Sequence, residues 1–305
     1  MGRLASGISD DLVTATLLAA RCPVLLAPAM HTEMWEHPAT QRNLATLVED
    51  GYAIVGPETG ALAGGDEGPG RMAEPEEIMS AIEGILSDGD LAGWSVLVSA
   101  GGTREAIDPV RYLGNRSSGK MGTAIALEAW TRGAEVTLVT TAPAPSRRGL
   151  SIVEVETADE MAGAVWEQAP KSDVVVLAAA VADFKPKMYA DEKLRRVEGP
   201  PDLVLEPTPD ILAGVASQDS RPFLVGFAAE AGSPQAAVPK AKSKGVDLLV
   251  ANDITDEGSG FGADTNRVTL IEPDGSLDTW DLMPKREVAR RLWDRIIEMR
   301  GGTEG

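Results

Sequence analysis

Between residues 95 and 253 the chain repeats one pattern: a short, largely apolar run, a stretch of helical period, then another apolar run. The runs are "SVLVSA" (95–100), "EVTLVTT" (135–141), "SIVEVE" (151–156), "DVVVLAAA" (173–180), "PFLVGFAA" (222–229) and "VDLLVAND" (246–253). Helical patterns occupy 118–132, 158–168, 209–217 and 234–245. A strand solvated on one face alternates apolar with polar residues, whereas one covered on both faces is apolar almost throughout. The pattern therefore predicts a parallel sheet with helices on both faces. "NRVTLIEPDGSLDTWDL" (266–282) differs, reading as two strands around Pro-Asp-Gly-Ser, a hairpin. Residues 285–300 predict an amphipathic terminal helix. The fold class is α/β: a Rossmann-like, mostly parallel sheet with helices on both faces, plus a β-hairpin.

The front of the chain carries a shorter version of the pattern. Residues 9–22 predict a helix with Ser9 as its N-cap, 23–30 a buried strand, 38–51 a helix closed by Gly51, 52–57 a second strand, 60–72 a Gly-rich loop and 74–88 a helix. "DGDLAGW" (88–94) reads as a linker. We therefore expect two domains, 1–88 and 89–305, the first a partial flavodoxin-like α/β domain. Such a domain ordinarily opens on a strand and a phosphate loop, so Met1 is expected to be a cut or mis-assigned start. Cys22, the only cysteine, sits between apolar runs and is expected to be packed.

The formal net charge of −19 excludes the broad basic face that nucleic acids and anionic membranes require. No apolar run approaches the ~20 residues of a membrane span. The N-terminus has no apolar signal region, and a lone cysteine suits a reducing compartment, so a cytoplasmic location is expected. Local cations still gather, with Lys185, Lys187, Lys193, Arg195 and Arg196 within twelve residues. Such a run is a solvated surface or, beyond a strand end, a phosphate contact.

Two glycine-rich loops follow strand ends, where open α/β sheets bind ligands. Gly101-Gly102-Thr103 matches neither GxGxxG nor the Walker A pattern, and serves either close ligand approach or a simple turn. "GNRSSGKMG" (114–122) precedes a helix. Its amides can face an anion at the helix N-terminus, aided by Ser117, Ser118 and Asn115. The plainer alternative is a serine N-cap with a flexible lead-in.

Taken together, "GGTREAIDPVRYLGNRSSGKMG", "AAAVADFKPK", "EKLRR", "PTPDIL", "VGFAAE" and "VDLLVANDI" resemble the phosphopantothenoylcysteine synthetase family of bacterial coenzyme A synthesis, over about 95–300. "LASGISDDLVTATLLAARCPVLLAPAMHTEMWEHPATQRNL" and "GDEGPGRM" resemble the carboxyl part of the flavin-dependent phosphopantothenoylcysteine decarboxylases. The chain thus resembles a bifunctional fusion lacking the front of its decarboxylase.

The resemblance implies CTP-dependent ligation of L-cysteine to 4′-phosphopantothenate through an acyl-CMP, with Mg²⁺. It implies Asn115 and Lys193 as the catalytic pair, Asn115 handling substrate and intermediate and Lys193 serving the second half-reaction. The basic motif is usually Lys-x-Lys-Lys but here Lys-Leu-Arg-Arg, so only Lys193 is carried over. Nucleotide contacts are implied for Gly102, Ser117, Gly119, Gly122, Leu177, Ala178, Ala179, Asp183, Lys193, Pro209, Asp210, Ile211, Leu212, Phe227, Lys240 and Lys244. Lys193 is expected on a movable lid, 185–201. No metal ligands are assigned. The family's subunits pair so that one chain helps close the other's site, implying a homodimer, with the seam near "GFGADTN" and the 266–282 hairpin. A complete decarboxylase would imply a higher homo-oligomer.

In the front part His31 and Met34 match the decarboxylase substrate loop, with His31 where Asn is usual; His37, before Pro38, is expected to be structural. The family's clamp normally carries a Cys, as Ala-Cys-Gly-Asp; here "LAGGD" offers Gly64 and Gly65 instead, removing the cysteine expected as the acid. The family uses FMN, but little flavin and no decarboxylation are expected here. Two other classes stay open, a flavin- or nucleotide-dependent oxidoreductase and a non-catalytic nucleotide-binding subunit.

Overall fold

A computed structural model describes residues 1–305 except 63, 66, 87–88, 146, 148, 196–201, 231–237, 254–258, 260–261 and 302–305, and except the side chains of 76, 230, 240, 241 and 253. The chain forms two compact units, 1–88 and 89–305.

The first unit runs α1 (Gly2–Ala5), α2 (Leu12–Ala19), β1 (Leu25–Leu26), α3 (Thr32–Glu36), α4 (Pro38–Glu49), β2 (Ala53–Ile54), β3 (Glu58–Ala61), β4 (Glu67–Arg71) and α5 (Pro75–Leu86). β1 and β2 pair in parallel. Three expectations are corrected. The N-cap of α2 is Asp11, not Ser9; its carboxylate accepts from Thr14 N at 2.8 Å. The Gly-rich 60–72 is not a loop but largely an antiparallel hairpin, β3 with β4. Cys22 is exposed, because it lies in the coil ahead of a strand that starts only at Leu25. His37 is structural as expected, with Nδ1 capping α4 by accepting from Ala39 N at 3.1 Å.

The second unit runs β5 (Ser95–Ala100), β6 (Arg104–Ala106), β7 (Tyr112–Gly114), α6 (Lys120–Thr131), β8 (Glu135–Thr140), β9 (Leu150–Glu154), α7 (Ala158–Gln168), β10 (Val174–Leu177), β11 (Phe184–Pro186), β12 (Leu205–Pro207), α8 (Ile211–Ala216), β13 (Phe223–Glu230), α9 (Val238–Lys244), β14 (Leu248–Asp253), β15 (Thr265–Asn266), β16 (Val268–Ile271), β17 (Leu277–Thr279), β18 (Met283–Pro284) and α10 (Lys285–Gly301). Eight strands form one sheet in the order β17-β16-β14-β13-β10-β5-β8-β9. Six are parallel, and the β16–β17 hairpin adds antiparallel to the β14 edge.

Alternation along each strand fills two cores. Val96, Val98 and Ala100 of β5 meet Ile125, Ala126 and Ala129 of α6 and Leu292, Trp293 and Ile296 of α10. Leu97 points the other way, to Met161, Ala162 and Val165 of α7 and Val215 of α8. Trp293 is fully buried, and its Nε1–H donates to the Ile125 carbonyl at 3.0 Å, which satisfies the one polar atom of that side chain.

Two short antiparallel pairs, β6–β7 and β11–β12, stand outside the sheet. Their three-residue strands carry no apolar run, and Phe184 pairs with Pro207, 23 positions on. Neither periodicity nor local turn chemistry registers such a pairing.

Candidate functional site

The chain goes outward from β5 to β8 and β9, then returns to place β10 on the other side of β5. The connections therefore diverge from the carboxyl ends of β5 and β10, leaving a crevice there. A cavity of about 580 Å³ lies beside that switch point.

Gly101-Gly102-Thr103 lies behind the lining and braces it. Gly101 has φ +89°, and a Cβ there would meet Thr141 Oγ1 at 2.1 Å. Its carbonyl accepts from Ala180 N at 2.8 Å, and buried Thr103 Oγ1 accepts from Ala182 N at 2.9 Å. The tripeptide staples β5 to the turn after β10. Gly102 does not line the cavity; it lies beneath Asn115, whose carbonyl oxygen is 2.6 Å from where a Gly102 Cβ would stand.

One wall is residues 115–122. The helix α6 is capped by Gly119 in the left-handed region, φ +74°, with no side-chain cap bond. Neither Ser117 nor Ser118 caps the helix; both line the cavity with Gly119, Lys120, Met121 and Gly122. The first-turn N–H groups have no intrahelical acceptor, so this wall suits an anion. Gly122 permits the approach of α6 to β5: a Cβ there would sit 2.6 Å from Ala100 Cβ and 2.7 Å from the Ser99 carbonyl.

Facing it are Leu177, Ala178, Ala179 and Asp183, then Pro209, Asp210, Ile211 and Leu212. Asn115 Nδ2 donates to the Val181 carbonyl at 2.8 Å, joining the two walls. Thr208 Oγ1 donates to the Ala182 carbonyl at 2.6 Å, fixing the 208–212 turn. Phe227 supplies an aromatic surface. Asp210 caps α8 through Ala213 N at 3.0 Å and accepts a hydrogen bond from Lys244. Burial alone would raise the Asp210 carboxyl, but Lys244 and the Ala213 amide outweigh it and hold it below the usual range. Lys244 lines the cavity as this ion pair. The Lys240 side chain lies outside the described residues.

Two expectations about the basic run are corrected. Lys185 and Lys187 do not line the cavity. The Lys185 ammonium is bonded to Asp159 at 2.5 Å, with Glu206 at 3.8 Å, and Asp159 chiefly raises its pKa. Nor is 185–195 a loose lid. Lys187 N donates to the Val204 carbonyl at 2.9 Å, Ala190 N to that of Ile107 at 3.0 Å, and Leu194 N to Asp108 Oδ2 at 3.2 Å. Lys193 is exposed on this tethered segment and does not line the cavity of its own chain. Residues 196–201 lie outside the described ones.

Lys120, Asn252, Asn266 and Lys285, given no role above, also line the cavity. Lys120 Nζ pairs with Asp264 at 2.6 Å. Lys285, 7% exposed, donates to the Ala263 carbonyl and to that of Thr265 at 3.1 Å. Desolvation, then nearby Lys120, lowers its pKa, against the pull of Asp264. Lys120 was visible inside the Gly-rich motif; Lys285, opening the last helix, had no local signal.

In the first unit, His31 is the N-cap residue of α3 and Met34 lies within it, both exposed. Gly64 and Gly65 form the tip of the β3–β4 hairpin, with Gly65 N donating to the Leu62 carbonyl at 3.0 Å.

Comparison with known proteins decides the relationship. Residues 91–299 match the DNA/pantothenate metabolism flavoprotein C-terminal domain, and residues 1–87 the Flavoprotein family. The coenzyme A biosynthesis bifunctional protein CoaBC of Mycobacterium tuberculosis is 46% identical over 321 residues, 99% of this chain and 77% of that protein. This chain belongs to the CoaBC family. The Bacillus subtilis member is 42% identical over 305 residues, 98% of this chain and 75% of that one. The crystal structure of a CoaBC C-terminal domain superposes with a TM-score of 0.58 at 40% identity, covering 70% of this chain and all of that one. CoaBC relatives thus match across both units.

Proposed function

We propose that the second unit ligates L-cysteine to 4′-phosphopantothenate at the expense of CTP, in coenzyme A synthesis. The observation that carries this reading is the first turn of α6, free of any side-chain cap bond, opening with Ser117 and Ser118 onto a cavity whose opposite wall offers Phe227 and Asp183. Together these provide an anion cradle, a base-stacking surface and a carboxylate around one crevice.

In the first half-reaction the phosphopantothenate carboxylate attacks the α-phosphorus of CTP, and the bond to pyrophosphate breaks. The α6 amides and Ser117 hold phosphate oxygens, and Asn115 orients the acyl group beside them. In the second, the cysteine amine attacks the acyl carbon, CMP leaves with the C–O bond electrons, and the amine loses a proton. Lys193 stabilises charge developing on the carbonyl oxygen at that step. Mg²⁺ would neutralise phosphate charge. Among the described residues no cluster of three His, Cys, Asp or Glu could hold a metal, but Mg²⁺ commonly needs only one or two carboxylates plus substrate phosphates. Asp183 fits that requirement, whereas Asp210 is engaged by Lys244.

We place the homodimer seam on the outlying hairpins rather than on 266–282. Val110, Tyr112, Phe184, Met188, Tyr189 and Val204 are each more than half exposed there, an apolar surface of the kind partners cover. The decisive assay supplies Mg²⁺, CTP, phosphopantothenate and cysteine. Phosphopantothenoylcysteine and CMP are expected, from a sample that light scattering finds dimeric. A folded sample that forms no CMP rejects the ligase reading, and an active monomer at high dilution rejects the seam.

For the first unit we propose no decarboxylation by this chain, because Gly64 and Gly65 leave the clamp tip without the cysteine expected to protonate the product. Among its described residues the parallel sheet has two strands of two residues each, too little to form a crevice for an isoalloxazine ring. Release of CO₂ from phosphopantothenoylcysteine, or flavin absorbance in the purified protein, would overturn this.

A further inference from the structure

We infer that Asp108 is a positioning residue for Lys193, tethering the lysine-bearing segment to the β6–β7 hairpin. The inference rests on the role proposed above for Lys193 in amide formation.

The Asp108 side chain is fully buried, in the turn between β6 and β7. Its two oxygens do different work. Oδ1 accepts from Val110 N and Arg111 N, both at 2.8 Å, and so closes the local turn. Oδ2 reaches 86 positions along the chain to accept from Leu194 N at 3.2 Å, with Arg111 Nε at 3.5 Å beside it. Arg111 Nη2 in turn donates to the Leu194 carbonyl at 2.5 Å. Both peptide groups of Leu194, the residue after Lys193, are thereby held from the hairpin. Ala190 N, bonded to the Ile107 carbonyl at 3.0 Å, fixes the segment on the other side.

A turn needs only Oδ1, since an Asp closing its own loop through the amides two and three residues on is complete with one oxygen. The second oxygen, beside the Arg111 side chain, is buried and also accepts from a distant backbone amide, which closing the turn does not require. Burial works against the Asp108 charge, yet the Val110, Arg111 and Leu194 amides with Arg111 hold its carboxyl below the usual range. The tether is therefore ionised and intact at neutral pH. Its consequence is geometric: with Ala190 and Leu194 held, Lys193 moves with the hairpin, and its ammonium sweeps only the reach of its own side chain. A cation that must meet a developing oxyanion gains from that restriction, because small displacements of a catalytic group cost large factors in rate.

The two-oxygen division makes the test selective. In Asp108→Asn the remaining oxygen keeps Val110 N and Arg111 N, and the new amide NH₂ faces Leu194 N–H and Arg111, donor against donor. The full-length dimer is followed by rapid quench with pyrophosphate and CMP measured separately, and by trypsin cleavage at Lys193 and Arg195. We expect pyrophosphate release within about threefold of wild type, CMP release slowed about tenfold or more with acyl-CMP accumulating, and cleavage at this segment hastened about tenfold, the scale of one lost charge-assisted hydrogen bond. Asp108→Glu, which misplaces both oxygens, should not restore the partition. Equal slowing of both products, or a normal partition, overturns the inference, as does unchanged cleavage. Wild-type enzyme that releases neither product rejects the ligase reading instead, while the cleavage rate still reports on the tether.

Discussion

Lys193→Gln will release pyrophosphate at close to the wild-type rate yet form little amide product, with acyl-CMP accumulating. In the proposed mechanism the first half-reaction draws on the α6 amides, Ser117 and Asn115, which line the cavity, whereas Lys193 does not. The second requires charge to be met at the acyl carbonyl oxygen. Removing a positioned cation costs roughly 100- to 1,000-fold in that step, by analogy with a lost oxyanion donor. Glutamine keeps most of the side-chain length and a hydrogen-bond donor but not the charge. Rapid quench separating pyrophosphate from CMP is the measurement, and equal slowing of both products would remove Lys193 from the second half-reaction.

Asn115→Asp will slow both half-reactions, on the order of 100-fold in kcat/KM, by losing one hydrogen bond and gaining a like charge near anionic substrates. Asn115 Nδ2 donates to the Val181 carbonyl at 2.8 Å. A carboxylate oxygen in its place meets that carbonyl acceptor to acceptor and pushes apart the 115–122 wall and the 178–183 turn. Its charge also stands where phosphopantothenate and the triphosphate must both approach. The contrast with Lys193→Gln is the diagnostic: there one product lags, here both do. Pyrophosphate release at the wild-type rate in Asn115→Asp would show that Asn115 acts only after the acyl-CMP has formed.

The assignment of 114–122 turned on one glycine. From residues alone, two serines before a helix read equally as a cap or as a cradle. The structure caps the helix with Gly119, whose positive φ carries the chain into α6 without a side-chain cap bond, and both serines then face the cavity. For Gly101-Gly102-Thr103 the same kind of ambiguity went the other way: the three residues brace strand ends, and Gly102 stays behind the wall. Lys185 shows why a charge run misleads. The five cations of 185–196 read together as a phosphate contact, yet Asp159 and Glu206, distant in sequence, pair with the first of them.

The second unit's sheet, its two buried faces and the helices between its strands are legible in the residues alone. Those follow from periodicity, a local property: strands covered on both sides must be apolar nearly throughout, and Val96, Leu97 and Val98 already state both faces. Which loops stand at strand ends is legible there too. The partners come from the folded chain. The pairing of Phe184 with Pro207, the hold of Asp108 on Leu194, the Asp210–Lys244 ion pair and the arrival of Lys285 at the cavity each join residues more than 20 positions apart. Bringing such residues together costs chain entropy that no local preference repays. Burial of the two cores repays it globally, and so the polar contacts that shape the site are set by where those cores place the strand ends.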